Sequence, residues 1–191
     1  MHLNIVMSPS VQSSQQNAQI GDRLNLLLTC GSWRKDTTVR QLPRLLEPIG
    51  IRTLHAENGE DALNLISNSD IHIAIVDLAI PLTSGITDKR PAGEKVLQLL
   101  RRLQPHPPTI VMRPRQASAR ESARSLVRSL HEGAFTVVDR PAMIETLLDA
   151  LHRALKRHYA DRWPLAMTKN FNTSWNSLSN TLKKRGDIHE S

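Results

Sequence analysis

From Arg23 to His158 the chain alternates short apolar runs with longer segments whose apolar positions recur at helical spacing. Leu24–Thr29, Ile51–His55, Ile71–Val76, the HPPTIVM segment that ends at Met112, and Ala134–Val138 form the first set. Ile71–Val76 is apolar everywhere but His72 and β-branched at Ile71, Ile73, Ile75 and Val76, the composition of a strand covered on both faces. Asp36–Glu47, Glu60–Ile66, Gly93–Leu103, Ala117–His131 and Ala142–His158 carry the period of amphipathic helices. Pro48 and Gly50 stop the first of them. His131-Glu132-Gly133 has the form of a helix C-terminus, a cation beside the last carbonyls and then a glycine turn. Leu82–Ala92, with Gly85, Pro91 and several charges, predicts an irregular loop.

Repeated strand–helix units predict a doubly wound parallel sheet, with right-handed crossovers placing helices on both faces. A Rossmann arrangement and the flavodoxin-like order 2-1-3-4-5 compete, and five strands favour the second. The Gly-x-Gly-x-x-Gly dinucleotide pattern is absent. Gly31-Ser32, in the first strand–helix loop, is a weak candidate for phosphate binding at a helix N-terminus. The domain is expected over residues 22–160, preceded by a flexible Ser/Gln/Asn-rich arm at 1–21 and followed by a polar tail at 161–191. In that tail, Trp163-Pro164 is expected to fold back on the last helix, and Trp175 to be mobile until it meets a partner. The tail is too short for a second domain and lacks the recognition helix of a helix-turn-helix module.

A hydrophobic content of 39% over 191 residues suits a single core. There is no signal-peptide pattern and no apolar run of roughly 18 residues, so a soluble, cytoplasmic protein with no membrane partner is expected. The lone Cys30 excludes an internal disulfide; it reads as a buried cysteine, with a reactive thiol as the alternative. No histidine stands at metal-ligand spacing with Cys30 or a carboxylate, so no metal site is expected.

The formal charge is +7, and from Arg101 to Leu130 seven arginines face one acid, Glu121. Arg120, Arg124 and Arg128 repeat every four residues and share one helix face. That face is either a solvated surface or a binding surface for an acidic protein or nucleic acid. One tyrosine and two phenylalanines do not make a base-stacking platform, which places nucleic acid below protein.

Three segments carry a resemblance: GIRTLHAENGEDAL (Gly50–Leu63), VDLAIP (Val76–Pro81) and EGAFTVVDRP (Glu132–Pro141). In order and spacing the chain resembles the receiver domains of two-component response regulators. The resemblance implies a phosphoacceptor aspartate at Asp77, a nucleophile whose carboxylate attacks phosphorus. In that family a divalent ion, held by an acidic pair after the first strand, neutralises the transferring group. Here Leu28-Thr29-Cys30-Gly31 supplies no carboxylate, and the nearest acid is Asp36. The hydroxyl position ending the fourth strand falls on Arg113, the lysine before Pro141 falls on Arg140, and the switch aromatic falls on Val137. A degenerate receiver is therefore expected, with Cys30, Arg113, Arg140 and Pro141 lining the site and Arg113, Arg140 or both neutralising Asp77.

Such a protein is expected to signal by protein contact, through Arg120, Arg124 and Arg128, without catalytic groups or a cofactor. Its partner would be a histidine kinase or an acidic regulator. A homodimer through the fourth and fifth helices would need Glu145 and Asp149 to interleave with the arginines. The alternatives are a working phosphorelay receiver, with magnesium required only in that case, and a nucleic-acid-binding protein using the arginine face.

Overall fold

In a computed structural model, residues 23–30, 37–84, 90–159, 173 and 175–181 are described. Five strands and five helices alternate along 24–159: β1 (Leu24–Thr29), α1 (Thr37–Leu46), β2 (Ile51–Ala56), α2 (Gly59–Asn68), β3 (Ile73–Asp77), α3 (Gly93–Arg102), β4 (Thr109–Pro114), α4 (Ala119–His131), β5 (Thr136–Arg140) and α5 (Ile144–Tyr159). A 3-10 turn, Glu47–Ile49, links α1 to β2 and ends at Gly50, whose φ of 84° needs glycine. All strand pairs are parallel, in the order β2-β1-β3-β4-β5. The expected flavodoxin-like sheet is therefore the observed one, with helices on both faces.

Strand alternation divides the core. Leu24, Leu26 and Leu28 of β1, Ile73 and Ile75 of β3, Met112 of β4 and Val138 of β5 pack with α1 and α5. Leu27, Ala74 and Val76 point the other way, into the α2 and α3 side, and Val111 joins Leu97 and Ala134 there. β3 is buried at all five positions, which explains its continuous apolar run.

Local chemistry sets the helix ends. Asn58 caps α2 by accepting from the Asp61 N–H, and its amide donates to the Asp61 carboxylate and to Ser84 Oγ. Ser118 caps α4 by accepting from the Glu121 N–H, so this helix starts two residues later than its period predicts. It ends as expected, with His131 in the last turn and Gly133 at φ 96°.

The segment expected to be irregular after β3 is partly ordered. Pro81 and Pro91 form an antiparallel bridge, Leu82 N–H donates to Arg90 O, and Ala92 N–H donates to Ile80 O. This small ladder buries Ile80 and docks on the start of α2, where the Gly59 and Glu60 N–H groups donate to Pro81 and Leu82 carbonyls. α3 then passes so close to the end of β3 that a Cβ on Gly93 would lie 2.4 Å from Leu78 Cα and 2.5 Å from Asp77 O.

One expectation about the tail is overturned. Trp175 is not mobile: it is 4% exposed, joins the α1–α5 core cluster and stacks on His152 at 5.0 Å with Leu178 alongside. Residues 175–181 are helical, and Thr181 Oγ donates back to Ser177 O. A single large apolar ring found a site on α5 that a polar composition does not announce. Replacing Trp175 by serine is expected to release this segment, with amide protection lost at 175–181 and retained in β3; hydrogen exchange reads both. The 1–21 arm, Gly31-Ser32, Asp36 and Trp163-Pro164 lie outside the described residues.

Candidate functional site

The carboxyl ends of β3, β4 and β5 bring the predicted residues to one edge of the sheet, where such folds bind ligands. Asp77 is the last residue of β3 and is completely buried. Its N–H donates to Thr29 Oγ1 of β1 at 2.7 Å, and its Oδ1 accepts from the Ala79 N–H at 2.9 Å. Arg140, the last residue of β5, reaches across so that Nη2 stands 3.3 Å from Asp77 Oδ1. The arginine side chain is 14% exposed, so the pair sits in a largely desolvated place.

Arg113 does not join this pair. It is one strand position from the required face: Asp77 is in register with Met112, while Arg113 is in register with Asp139. Met112 and Val138 lie on the α1–α5 side, so Asp77 and Arg140 share that side by alternation, and Arg113 and Asp139 take the other. There Arg113 Nε donates to Asp139 Oδ1 at 2.6 Å, Nη1 to the Ser122 carbonyl at 2.7 Å and Nη2 to Ser122 Oγ at 2.8 Å. Of the two arginines expected near Asp77, the structure brings Arg140 to it and turns Arg113 to the other face of the sheet. Asp139 and Ser122, the partners of Arg113, are not singled out by the sequence, although strand parity around the Asp139-Arg140 pair carries the signal.

The remaining predicted lining residues contribute less. Pro141 is exposed and turns the chain after a cis Arg140–Pro141 peptide. Cys30 is 3% exposed and directs its thiol toward β2, where Sγ is 3.6 Å from His55 Nδ1. Val137 is half-buried on the α4 side, without a ring to rotate.

A divalent ion does not fit the described residues. β1 ends in Thr29 and Cys30, the Thr29 hydroxyl already serves Asp77, and the one carboxylate faces a guanidinium. Among the described residues no group of three or more His, Cys, Asp or Glu side chains is placed to hold a metal. Nor, among them, is any helix long and apolar enough to cross a membrane.

Burial shifts three histidines toward their neutral form. His55, His72 and His152 all have pKa values lowered, chiefly by burial; Glu57 and Asp70 partly offset this for the first two, and Lys156 adds to it for the third. His72 Nδ1 accepts the Asn25 N–H, which a protonated ring cannot do. Above the unfolded value of 6.5 the rings are neutral in both states, so their full contribution is present. As pH falls, the unfolded chain takes up protons first and stability drops through the lowered folded values. The urea midpoint is therefore expected to fall between about pH 7 and pH 5, and less steeply for His72→Gln.

No family model and no curated protein sequence matches the chain. Solved structures do. A signal receiver domain from Vibrio parahaemolyticus aligns with TM-score 0.54 and 23% identity, covering 71% of this chain and 92% of that one. A CheY-like response regulator receiver domain from Methanospirillum hungatei gives 0.54 and 21%, covering 73% and 98%. A receiver domain of a Francisella response regulator gives 0.53 and 21%, covering 71% and 98%. Each of these three neighbours is matched over 92% or more of its own length. With the sheet order and the position of Asp77 at the end of β3, the chain has the fold of response-regulator receiver domains.

Proposed function

We propose that this protein is a degenerate receiver that works by protein–protein contact, with Asp77 held by Arg140 in place of a metal-assisted phosphorylation cycle. The observation that carries this reading is the buried Asp77 carboxylate with Arg140 Nη2 at 3.3 Å. Phosphorylation needs that carboxylate open to an incoming phosphorus atom and its charge balanced by a divalent ion. Here the balancing charge is a side chain of the same domain, so it is present at all times. Arg113 supports the reading from the other face of the sheet: it ties β4, β5 and α4 together where a receiver's small hydroxyl would be free to move.

Signalling then rests on a surface, and α4 offers one through Arg120, Arg124 and Arg128, all exposed. Arg128 also bonds Glu94 of α3 at 2.7 Å, a solvent-exposed pair that leaves Arg120 and Arg124 as the main charges on the helix's outer side. The partner proposed is an acidic protein surface, such as that of a kinase or regulator.

The test is incubation with acetyl phosphate or beryllium fluoride, with and without magnesium, followed by intact mass and thermal melting. No mass gain at Asp77 and no melting shift are expected. A magnesium-dependent phosphoryl mass on Asp77, or stabilisation by the fluoride, would overturn the lock and make the protein a phosphorelay receiver.

A further inference from the structure

The helical segment at 175–181 is held to the domain by few side chains. Its seven residues are too few for a helix that stands alone in water. Trp175 and Leu178 are its apolar residues; Trp175 is buried, Leu178 half-buried, and Asn176, Ser177, Asn180 and Thr181 are exposed. Docking therefore passes mainly through one ring. That ring lies flat on an imidazole of α5: the Trp175 and His152 centroids are 5.0 Å apart and the planes differ by 16°. The contact is thus made to a group whose charge can change.

The charges around His152 do not favour an imidazolium. Lys156 stands one turn further along α5, and Asp149, nearly one turn before, has its Oδ2 3.3 Å from Arg153 Nη2. The segment itself brings no charge, since residues 173–181 read TSWNSLSNT. α1, the other helix of this core cluster, carries Arg40 and Arg44 and no acid, with Glu47 following it in the 3-10 turn. A cation can lie favourably on an indole face. Here it would do so with part of its hydration removed and with Lys156 a turn away. Burial first, and Lys156 after it, hold the pKa of His152 below its ordinary value, against a smaller pull from Asp149.

We propose that residues 175–181 form a pH-gated strap on α5, docked while His152 is neutral and released when it takes up a proton. With the strap off, the ring returns toward water and toward its ordinary value of 6.5. Above that pH the ring is neutral in both states and docking is at full strength. As pH falls below it, the released form binds the proton first, and docking is lost through the lowered value of the docked form. One proton limits the effect to about tenfold in the docking equilibrium per pH unit. Release bares Trp175, Leu178 and the part of α5 beneath them, so acidification converts a closed apolar contact into an exposed one.

Hydrogen exchange of the full chain at about pH 7.5 and about pH 5.5, corrected for the intrinsic amide rate, reads the strap directly. Protection at 175–181 is expected to fall at least about threefold at the acid pH, and by more than that of β3. His152→Phe keeps a flat ring and removes the proton, so the strap should stay docked and lose its pH dependence. Trp175→Ser should move the His152 titration, followed by its ring proton resonance, up toward the ordinary value. Retained protection of β3 marks both variants as folded. Equal strap protection at the two pH values would overturn the proposal. So would protection that grows on acidification, which is the result if attraction between imidazolium and indole wins. A pH dependence that survives His152→Phe, or a His152 titration unmoved by Trp175→Ser, overturns it as well. If phenylalanine does not stack, protection is lost at both pH values, and the His152 titration in the wild-type and Trp175→Ser chains decides.

Discussion

Replacing Arg140 by alanine is expected to cost about 3 kcal/mol of unfolding free energy, at the lower end for breaking a buried ion pair. The carboxylate of Asp77 is fully buried, and the Arg140 guanidinium is the cation beside it. The Ala79 N–H still holds Oδ1 in the variant, which keeps the loss from being larger. Asp77→Asn should cost less, about 1 kcal/mol, because the amide oxygen keeps that acceptor role and Arg140 reaches solvent at its edge. The double variant decides the matter. A coupling of roughly 1–2 kcal/mol between the two sites is the signature of a lock, and additive losses would show that the residues are merely adjacent. Urea titration at neutral pH measures all four corners of the cycle.

Substitution of Arg113 by methionine is expected to cost about 2–3 kcal/mol and to loosen one helix in particular. Three N–H donors are lost at once, and their acceptors lie on β5 and α4. Asp139 is 45% exposed and can return to water, so Asp139→Asn should cost no more than about 1 kcal/mol. The Ser122 carbonyl and hydroxyl both lose the guanidinium that ties α4 to β4. Because Ser129 is the only fully buried residue of α4, this helix has little apolar contact to fall back on. Hydrogen exchange should therefore show α4 opening well before β3 or α5. Lysine at this position should rescue little, since a single ammonium cannot serve three acceptors held in a planar fork.

The two arginines show how strand parity separates two sets of contacts. Each stands near the carboxyl end of its strand, Arg113 just before the Pro114 that ends β4, and from composition alone both were equal candidates for Asp77. Parallel pairing puts Asp77 beside Met112 and Pro114 beside Arg140, so the α1–α5 face receives Arg140 and the α4 face receives Arg113. The apolar runs of β4 and β5 stop at Met112 and Val138, yet both strands continue to Pro114 and Arg140. The added positions pair Arg113 with Asp139 across the ladder, a cross-strand ion pair that an apolar pattern cannot register.

Trp175 teaches a similar lesson at the other end of the chain. Its surroundings in sequence are Asn and Ser, and no apolar period announces a helix at 175–181. The ring nevertheless finds His152 and the edge of the α1–α5 core, and one such burial is enough to dock a short polar segment. α4 is the converse case. Its period predicts an arginine-faced helix, and the side turned to the sheet is the serine side, because a buried guanidinium needs acceptors there.

By itself, then, the sequence determined the fold: five apolar runs, the helices between them, their stops, and the place of Asp77 at the end of β3. Those features are written in local composition and period, which depend on neighbours a few residues away. It also shows Leu28-Thr29-Cys30-Gly31, Arg113 and Val137 standing where the receiver resemblance implies acids, a hydroxyl and an aromatic. Only the tertiary structure decided which arginine holds Asp77, what Arg113 does instead, which side of α4 faces out and where Trp175 goes. Each of those depends on strand register and on partners tens of residues distant, and a shift of one residue in a strand turns a side chain to the opposite face of the sheet.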